Sequence, residues 1–407
     1  MLDEEKVVYR GYIERLRNLP MVALVTTGRT GSDFLQSLLD SHPQIATFNG
    51  HFAVYSEFFT QSLAFSVPDG SAIDAVDEFI GRYLYKLVSR YDIQEGKDCL
   101  GEYSNESFSI NTQTFRSHLL KLMEGVPLNS RDFLLAIYGA YNLCLGQNIE
   151  RLKIIFHHPH LSYEFCLFAR DFPSTRVIFS SRDPRANFYS SVNNFRLHDK
   201  NYDNEQHLYN CLKSALEDTE LAEQMSLEYI ATRLEDLPRE DAMRALAKWL
   251  GVDFQESLLR STWAGLDWHG DRLSVKSFAP SGWSKDRTEN NWQKGLGSIE
   301  KYVFNYIMND RLRWYRYSVE PIGIFDAIIV ACLIPIPFRF ERRFLHWRHV
   351  WRVISSGSLA MQLQLILTPV FYFKRVRMCY KYYSRTFRGV KFKGNWLKVE
   401  SCGSSIT

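Results

Sequence analysis

The sequence predicts an α/β fold, a parallel sheet with helices on both faces, followed by a basic, mostly helical C-terminal module. Three observations carry this expectation. Val22–Val25, the run beginning at Lys153 and Val177–Phe179 are short apolar runs of the kind that form buried parallel strands. The first and third of these pass through a polar turn into a helical pattern. Basic residues then accumulate from Phe338 onward. With 407 residues and 45% hydrophobic content, the chain can bury a full α/β core and has room for two or three units. We divide it into residues 1–320 and 321–407. No internal repeat or low-complexity tract is evident, so the composition points to an enzyme rather than a tail-like binder.

Taken in order, Met1 to Arg17 alternates charge with apolar residues and lacks the apolar core of a signal peptide. The cysteines Cys99, Cys144, Cys166, Cys211, Cys332, Cys379 and Cys402 are odd in number and form no CxxC pair, which favours a reducing compartment. A cytoplasmic location follows as the expectation. Val22 to Pro43 reads VALVTTGRTGSDFLQSLLDSHP: a strand, a Gly-bounded loop, and a helix with Phe34, Leu35, Leu38 and Leu39 at helical spacing. Gly28 and Gly31 let the backbone approach a ligand. The first N–H groups of the helix then converge on an anion under a favourable dipole. Arg29 adds a cationic fork. A magnesium nucleotidase would need Gly-Lys-Ser/Thr at the helix start, where this chain has Gly31-Ser32-Asp33. The plainer reading of the segment alone is an ordinary strand-turn-helix with a surface Arg.

Ala72 to Arg90, Thr114 to Met123 and Arg131 to Leu145 have helical periodicity. Phe52, Tyr55, Phe58 and Phe59 either line a sugar or lipid pocket or belong to the core, the commoner fate of aromatics at this spacing. The run Lys153 to His160 is a strand ending in His157, His158 and His160. No Cys or carboxylate stands near at metal spacing, so no metal site is assigned. Arg176 to Phe195 repeats the strand-to-helix pattern, with Arg182 at the strand's C-terminal end. Ligands of doubly wound sheets bind beyond such ends, so two cationic strand ends address one polyanion.

At these residues the sequence resembles the PAPS-dependent sulfotransferases, a family with a P-loop-like core that uses 3′-phosphoadenylyl sulfate (PAPS) as donor. Arg29-Thr30-Gly31-Ser32 with His42-Pro43 is similar to the family's 5′-phosphosulfate loop, and Arg182-Asp183-Pro184 with Ser190 to its 3′-phosphate element. Leu234-Glu235-Asp236-Leu237 and Leu246 to Gly251 follow in the family's order. Asn291-Trp292-Gln293-Lys294-Gly295-Leu296-Gly297 resembles the loop that closes on the nucleotide. The resemblance covers roughly residues 20 to 318. It implies donor contacts from Thr27, Gly28, Arg29, Thr30, Gly31, Ser32, Arg182, Ser190, Lys294 and Gly295. Three positions depart from the pattern: Asp33 replaces Thr or Ser and is expected to cap the helix, Leu234 replaces a frequent Tyr, and Phe156 replaces a Lys.

Sulfuryl transfer needs an anchored leaving group, cations on its oxygens and a base for the acceptor hydroxyl. Arg29 is the expected clamp. The resemblance makes His158 the base, with His51 and Glu57 as rivals, because some sulfotransferases use a carboxylate from that region. From Phe338 onward 14 Lys or Arg oppose Glu341 and Glu400, an excess of +12, so the preceding part is near −9 in a chain of net +3. Ile322 to Phe338 and Leu359 to Phe373, the latter broken by Pro369, are apolar but shorter than a bilayer span. Flanking Arg, Lys, Trp and Tyr fit membrane-surface attachment, a re-entrant helical hairpin and a basic helical appendage packed on the core stay open beside it, and no nucleic-acid reader motif is present. The expected acceptor is a hydroxyl of a membrane-borne saccharide or glycolipid. A P-loop kinase and a catalytically silent membrane scaffold stay open.

Overall fold

Among the described residues five strands form one sheet in the order β2-β3-β1-β4-β5, with every pairing parallel. They are β1 (Met21–Val25), β2 (Ile45–Thr47), β3 (Ile154–His160), β4 (Arg176–Ser181) and β5 (Tyr229–Arg233). The computed structural model describes residues 2–397 apart from 49, 68–69, 89–99, 161, 199–203, 218–226, 271–290, 345, 357–358 and 393. Cys99, Cys402 and the last two residues of the expected helix ending at Arg90 lie outside the described residues.

The pleat sorts β1 onto two cores. Ala23 and Val25 pack with α1 (Leu2–Asn18), α5 (Thr112–Met123), α6 (Ser130–Cys144) and α7 (Ser162–Asp171). Two more helices, α3 (Ala72–Arg82) and α4 (Tyr85–Val88), extend this layer. Val22 and Leu24 face the opposite layer, α2 (Ser32–Leu39) and α10 (Glu240–Leu250), together with Trp263 and Trp268 at a small antiparallel hairpin, β6 (Thr262–Trp263) and β7 (Leu266–Asp267). Helices thus cover both faces, as a parallel sheet requires. Phe52, Tyr55, Phe58 and Phe59 are buried in the first core, where their rings pack on Tyr83, Phe133 and Phe168.

A third core unites α8 (Pro184–His198), α9 (Glu205–Glu217), α11 (Asn291–Gly295), α12 (Ser298–Ile307) and α13 (Asn309–Trp314) with the C-terminal helices. These are α14 (Ile324–Leu333), α15 (Arg339–Arg342), α16 (Trp347–Ser355) and α17 (Leu359–Phe387). Buried Arg375 of α17 holds Glu341 at 2.9 and 3.0 Å and donates to the carbonyls of Ile334 and Ile336. Pro369 does not break α17. The turn around it is anchored by Thr368, bonded to Glu205 of α9, and by Arg375. Beyond α17 the chain returns to the sheet, where Asn395 and Leu397 pair with Ala231 of β5 at 2.7 and 2.8 Å. Among the described residues no helix is long and apolar enough to cross a membrane.

Candidate functional site

Register brings the C-terminal ends of three adjacent strands together. Val25 lies opposite His160 of β3 on one side and Phe179 of β4 on the other. The amide of Thr26 donates to the carbonyl of His160 at 3.2 Å. Everything that leaves β3, β1 and β4 therefore emerges at one edge, beside the start of α2.

The turn from Thr26 to Ser32 is shaped by left-handed backbone at Gly28 (φ 87°), Arg29 (φ 56°) and Gly31 (φ 82°). Gly31 is required on two counts. Its φ is one that side chains avoid, and a Cβ there would stand 2.3 Å from Cδ1 of Leu234. Gly31 occupies the cap position of α2 without a side-chain cap bond, and Asp33 sits in the first turn. A carboxylate there is still favoured by the helix dipole. The loop is braced from below: Thr26 and Thr30 share a hydroxyl hydrogen bond of 2.5 Å, Ser180 donates to the Thr30 carbonyl at 2.9 Å, and Asn187 of α8 donates to the Gly28 carbonyl at 3.1 Å. The Thr30 hydroxyl is thus spent on the loop. The buried hydroxyl of Thr27 has no hydrogen-bond partner, and Ser32 is buried at the first turn of α2.

Arg182 leaves β4 directly beside this loop and is 8% exposed. Burial pulls its guanidinium below its ordinary range, Glu235 works in the opposite direction, and the nearby charge of Arg29 pushes with burial. Beside the loop the charges of Arg29, Arg182 and Glu235 therefore act on one another, two cations against one carboxylate, a balance that favours a further anion. Glu235 itself is raised by burial and held back by Arg182. It accepts from the Asp183 amide at 3.2 Å and from the Tyr317 hydroxyl at 2.9 Å. Asp183 and Arg185 form a buried pair at 2.6 Å, and the Arg185 guanidinium lies over the Trp292 ring at 4.2 Å. That stack ties α11 to α8. Gly295 packs so tightly on Tyr189 that a Cβ would fall 1.9 Å from its ring. Lys294 and Gly295 are in this way brought against the helix that carries Ser190, with Lys294 exposed and Ser190 half-buried.

The three histidines of β3 separate by the pleat. His157 turns to the first core, stacks on Phe168 and meets the Tyr138 hydroxyl at 2.9 Å. His158 and His160 turn to the α2 side. His158 Nδ1 lies 3.0 Å from Oε1 of Gln36, and its Nε2 lies 3.2 Å from Nδ1 of His160. The Gln36 amide nitrogen donates to the Phe48 carbonyl and to the Thr47 hydroxyl, so its oxygen has to accept. With both rings neutral, His158 carries its proton on Nδ1, its Nε2 accepts from Nδ1–H of His160, and the lone pair of His160 is on Nε2. That atom is 4.0 Å from the place a Cβ of Gly28 would take, at the mouth of the loop. His51 joins the group, its ring 5.3 Å from His160 and 6.5 Å from His158.

Glu57 points elsewhere: it accepts from the Tyr83 hydroxyl at 2.9 Å and pairs with Lys86 at 3.5 Å. Phe156, at the position where the resemblance implies a Lys, is wholly buried under α2. No cluster of metal-ligating side chains occurs among the described residues. Sequence reasoning missed Gln36, Arg185 and Tyr189. Gln36 was the one detectable in principle, a polar side chain inside the buried turn of an amphipathic helix.

No curated protein matches the chain. Among solved structures, the sulfotransferase domain from the Synechococcus PCC 7002 olefin synthase shares 16% identity over 77% of this chain and 94% of that one, with a TM-score of 0.34. The sulfotransferase domain from the curacin biosynthetic pathway shares 14% identity over 74% and 99%, with a TM-score of 0.39. The family model described as "Sulfotransferase family" matches residues 20–256, more than half of the chain. By that match, which spans the sheet and every strand end described above, the chain belongs to the sulfotransferase family.

Proposed function

We propose that the protein transfers the sulfuryl group of PAPS to a hydroxyl acceptor. The observation that carries this reading is the pairing of a left-handed Gly28–Gly31 loop with two neighbouring guanidiniums, Arg29 and buried Arg182. Such a site fits a donor with anionic groups at both ends. Loop amides, the Thr27 hydroxyl and Ser32 take the 5′-phosphosulfate, with Arg29 on the developing charge of the leaving phosphate. Arg182 and Ser190 take the 3′-phosphate, and Lys294 and Gly295 close over the nucleotide. No metal is needed for this distribution of charge.

In the transfer, the acceptor oxygen forms a new bond to sulfur as the bond from sulfur to the 5′-phosphate oxygen breaks. The products are a sulfate ester and adenosine 3′,5′-bisphosphate. The hydroxyl proton passes to the histidine pair on β3. The resemblance implies His158 as base; we favour Nε2 of His160 instead, a reading supported by the Gln36–His158–His160 hydrogen-bond chain. The acceptor we favour is a saccharide or glycolipid hydroxyl at the cytoplasmic face of a membrane, supported by the basic C-terminal module.

Calorimetry of the chain with adenosine 3′,5′-bisphosphate tests the donor assignment. Expected is tight binding that ATP and magnesium do not displace and that Arg182→Ala loses by roughly a hundredfold, the scale of a buried charge-assisted contact. Displacement by ATP and magnesium would favour the kinase, and no binding the silent scaffold.

A further inference from the structure

More than half of the exposed large apolar side chains among the described residues fall between 324 and 373. They form stripes rather than a scatter. On α14 they are Ile324, Phe325, Ile328 and Ile329, opposite the buried Ala327 and Val330. On α16 they are Trp347, Trp351 and Ile354, spaced at i, i+4 and i+7, with Trp347 and Trp351 both 67% exposed. On α17 they are Leu359, Leu363, Ile366, Leu367, Val370 and Phe373, again one helical stripe. α17 packs against both α14 and α16, so the stripes belong to one platform.

The exposed charge that these C-terminal helices carry beside the stripes is basic, while Glu205 of α9 is bonded to Thr368. Arg342, Arg348, Lys374 and Arg377 are exposed at the platform's edges. Only Asp326 and Glu341 are acidic between residues 321 and 399, and both carboxylates are engaged, Asp326 by Tyr302 and the Gly323 amide, Glu341 by Arg375. A second copy seated on this face would bring like charges together. The apolar part of α17, Leu359 to Phe373, is about 22 Å long at the α-helical rise, short of the roughly 30 Å of a hydrocarbon core. With an apolar stripe, tryptophans and a basic rim, it suits a helix lying in the interface plane.

We propose that α14, α16 and the first half of α17 dock into the surface of an anionic bilayer without crossing it. The apolar stripes enter the acyl boundary and the basic rim meets the lipid phosphates. This does not depend on the sulfotransferase chemistry.

Flotation of the full chain with vesicles of phosphatidylcholine and phosphatidylglycerol, beside phosphatidylcholine alone, tests it. Expected is flotation with the anionic vesicles that falls with added salt. Trp351→Glu with Ile366→Glu should lower the partition at least roughly tenfold, because two anchoring side chains become anions. Both residues are exposed, and retained binding of adenosine 3′,5′-bisphosphate reports an intact fold. Arg348→Glu, which leaves the apolar stripe whole, should weaken only the anionic component. Absence of flotation with anionic vesicles at low salt overturns the proposal. So does a stable dimer by light scattering that the double substitution dissociates. A chain that floats but binds no adenosine bisphosphate keeps this inference and loses the reaction proposed above.

Discussion

His157 and His158 are neighbours in sequence and opposites in chemistry, because the pleat sends one into a dry aromatic core and the other toward Gln36. Burial pushes His157 down to about 3. In the unfolded chain it titrates near 6.5, so between about 6.5 and 3 the unfolded state holds a proton that the native state does not. Stability from this group is full above the unfolded value and is lost as pH falls, by about 1.4 kcal/mol per pH unit. His42, also lowered by burial, adds in the same direction. Urea titrations at stepped pH should show this acid limb, and His157→Gln, which keeps an acceptor for Tyr138, should flatten it; an unchanged slope would place the acid sensitivity elsewhere. On the other face the consequence is kinetic. His160→Ala is expected to cut turnover by roughly 10² to 10⁴, the usual share of a general base, with donor binding retained. His158→Gln should cost less and displace the acid limb of the rate profile, since His158 acts through His160. A larger loss at His158 than at His160 would return the base to His158.

The loop and its flanking strands are where the sequence was most legible. Two glycines, an apolar run before them and a helical pattern after them predict a strand, a tight turn and a helix, and the structure has all three. The reason for Gly31 was not legible. It is the δ-methyl of Leu234, some 200 residues away, that fills the space of the missing Cβ. Gly31→Ala should therefore weaken adenosine 3′,5′-bisphosphate binding about tenfold or more, through a clash and a strained φ that alone costs about 1–3 kcal/mol. Adding Leu234→Ala opens the space but not the dihedral, so calorimetry should show partial recovery; full recovery would mean that only the clash mattered. The partners of Glu57 were not legible for a related reason. Its place after His42-Pro43 matched, but the one turn of π-helix from Tyr55 to Phe59 aims it at Tyr83 and Lys86. Local pattern reads backbone and periodicity well, whereas the direction of a lone polar side chain depends on partners that only the assembled sheet supplies.

At the scale of the whole molecule, the basic C-terminal segment is stitched to the rest in three places. Ala327, Val330, Ile334 and Cys379 sit in one core with Phe188, Leu212 and Phe304. The Arg375–Glu341 pair lies buried within it. Asn395 and Leu397 pair with the edge of β5, and Phe392 enters the core beneath the sheet. The composition change near residue 320 marks a change of surface, not of interior, because charge is written on exposed positions while the apolar positions on both sides serve one core. Removing residues 321–407 would uncover Phe188, Leu212, Val303 and Phe304 together. Each buried large apolar side chain is worth about 1.5–3 kcal/mol against exposure, and four of them approach the roughly 5–15 kcal/mol that holds a domain folded. A chain ending at residue 320 is accordingly expected to aggregate, or to unfold at far lower urea than the full chain, and to lose donor binding with its fold. A soluble truncated protein that binds adenosine 3′,5′-bisphosphate as tightly as the full chain would show that the third core is dispensable to the site. The contrast with Trp351→Glu and Ile366→Glu, which should spare the fold and weaken only vesicle binding, separates what this segment does inside the molecule from what it offers outside.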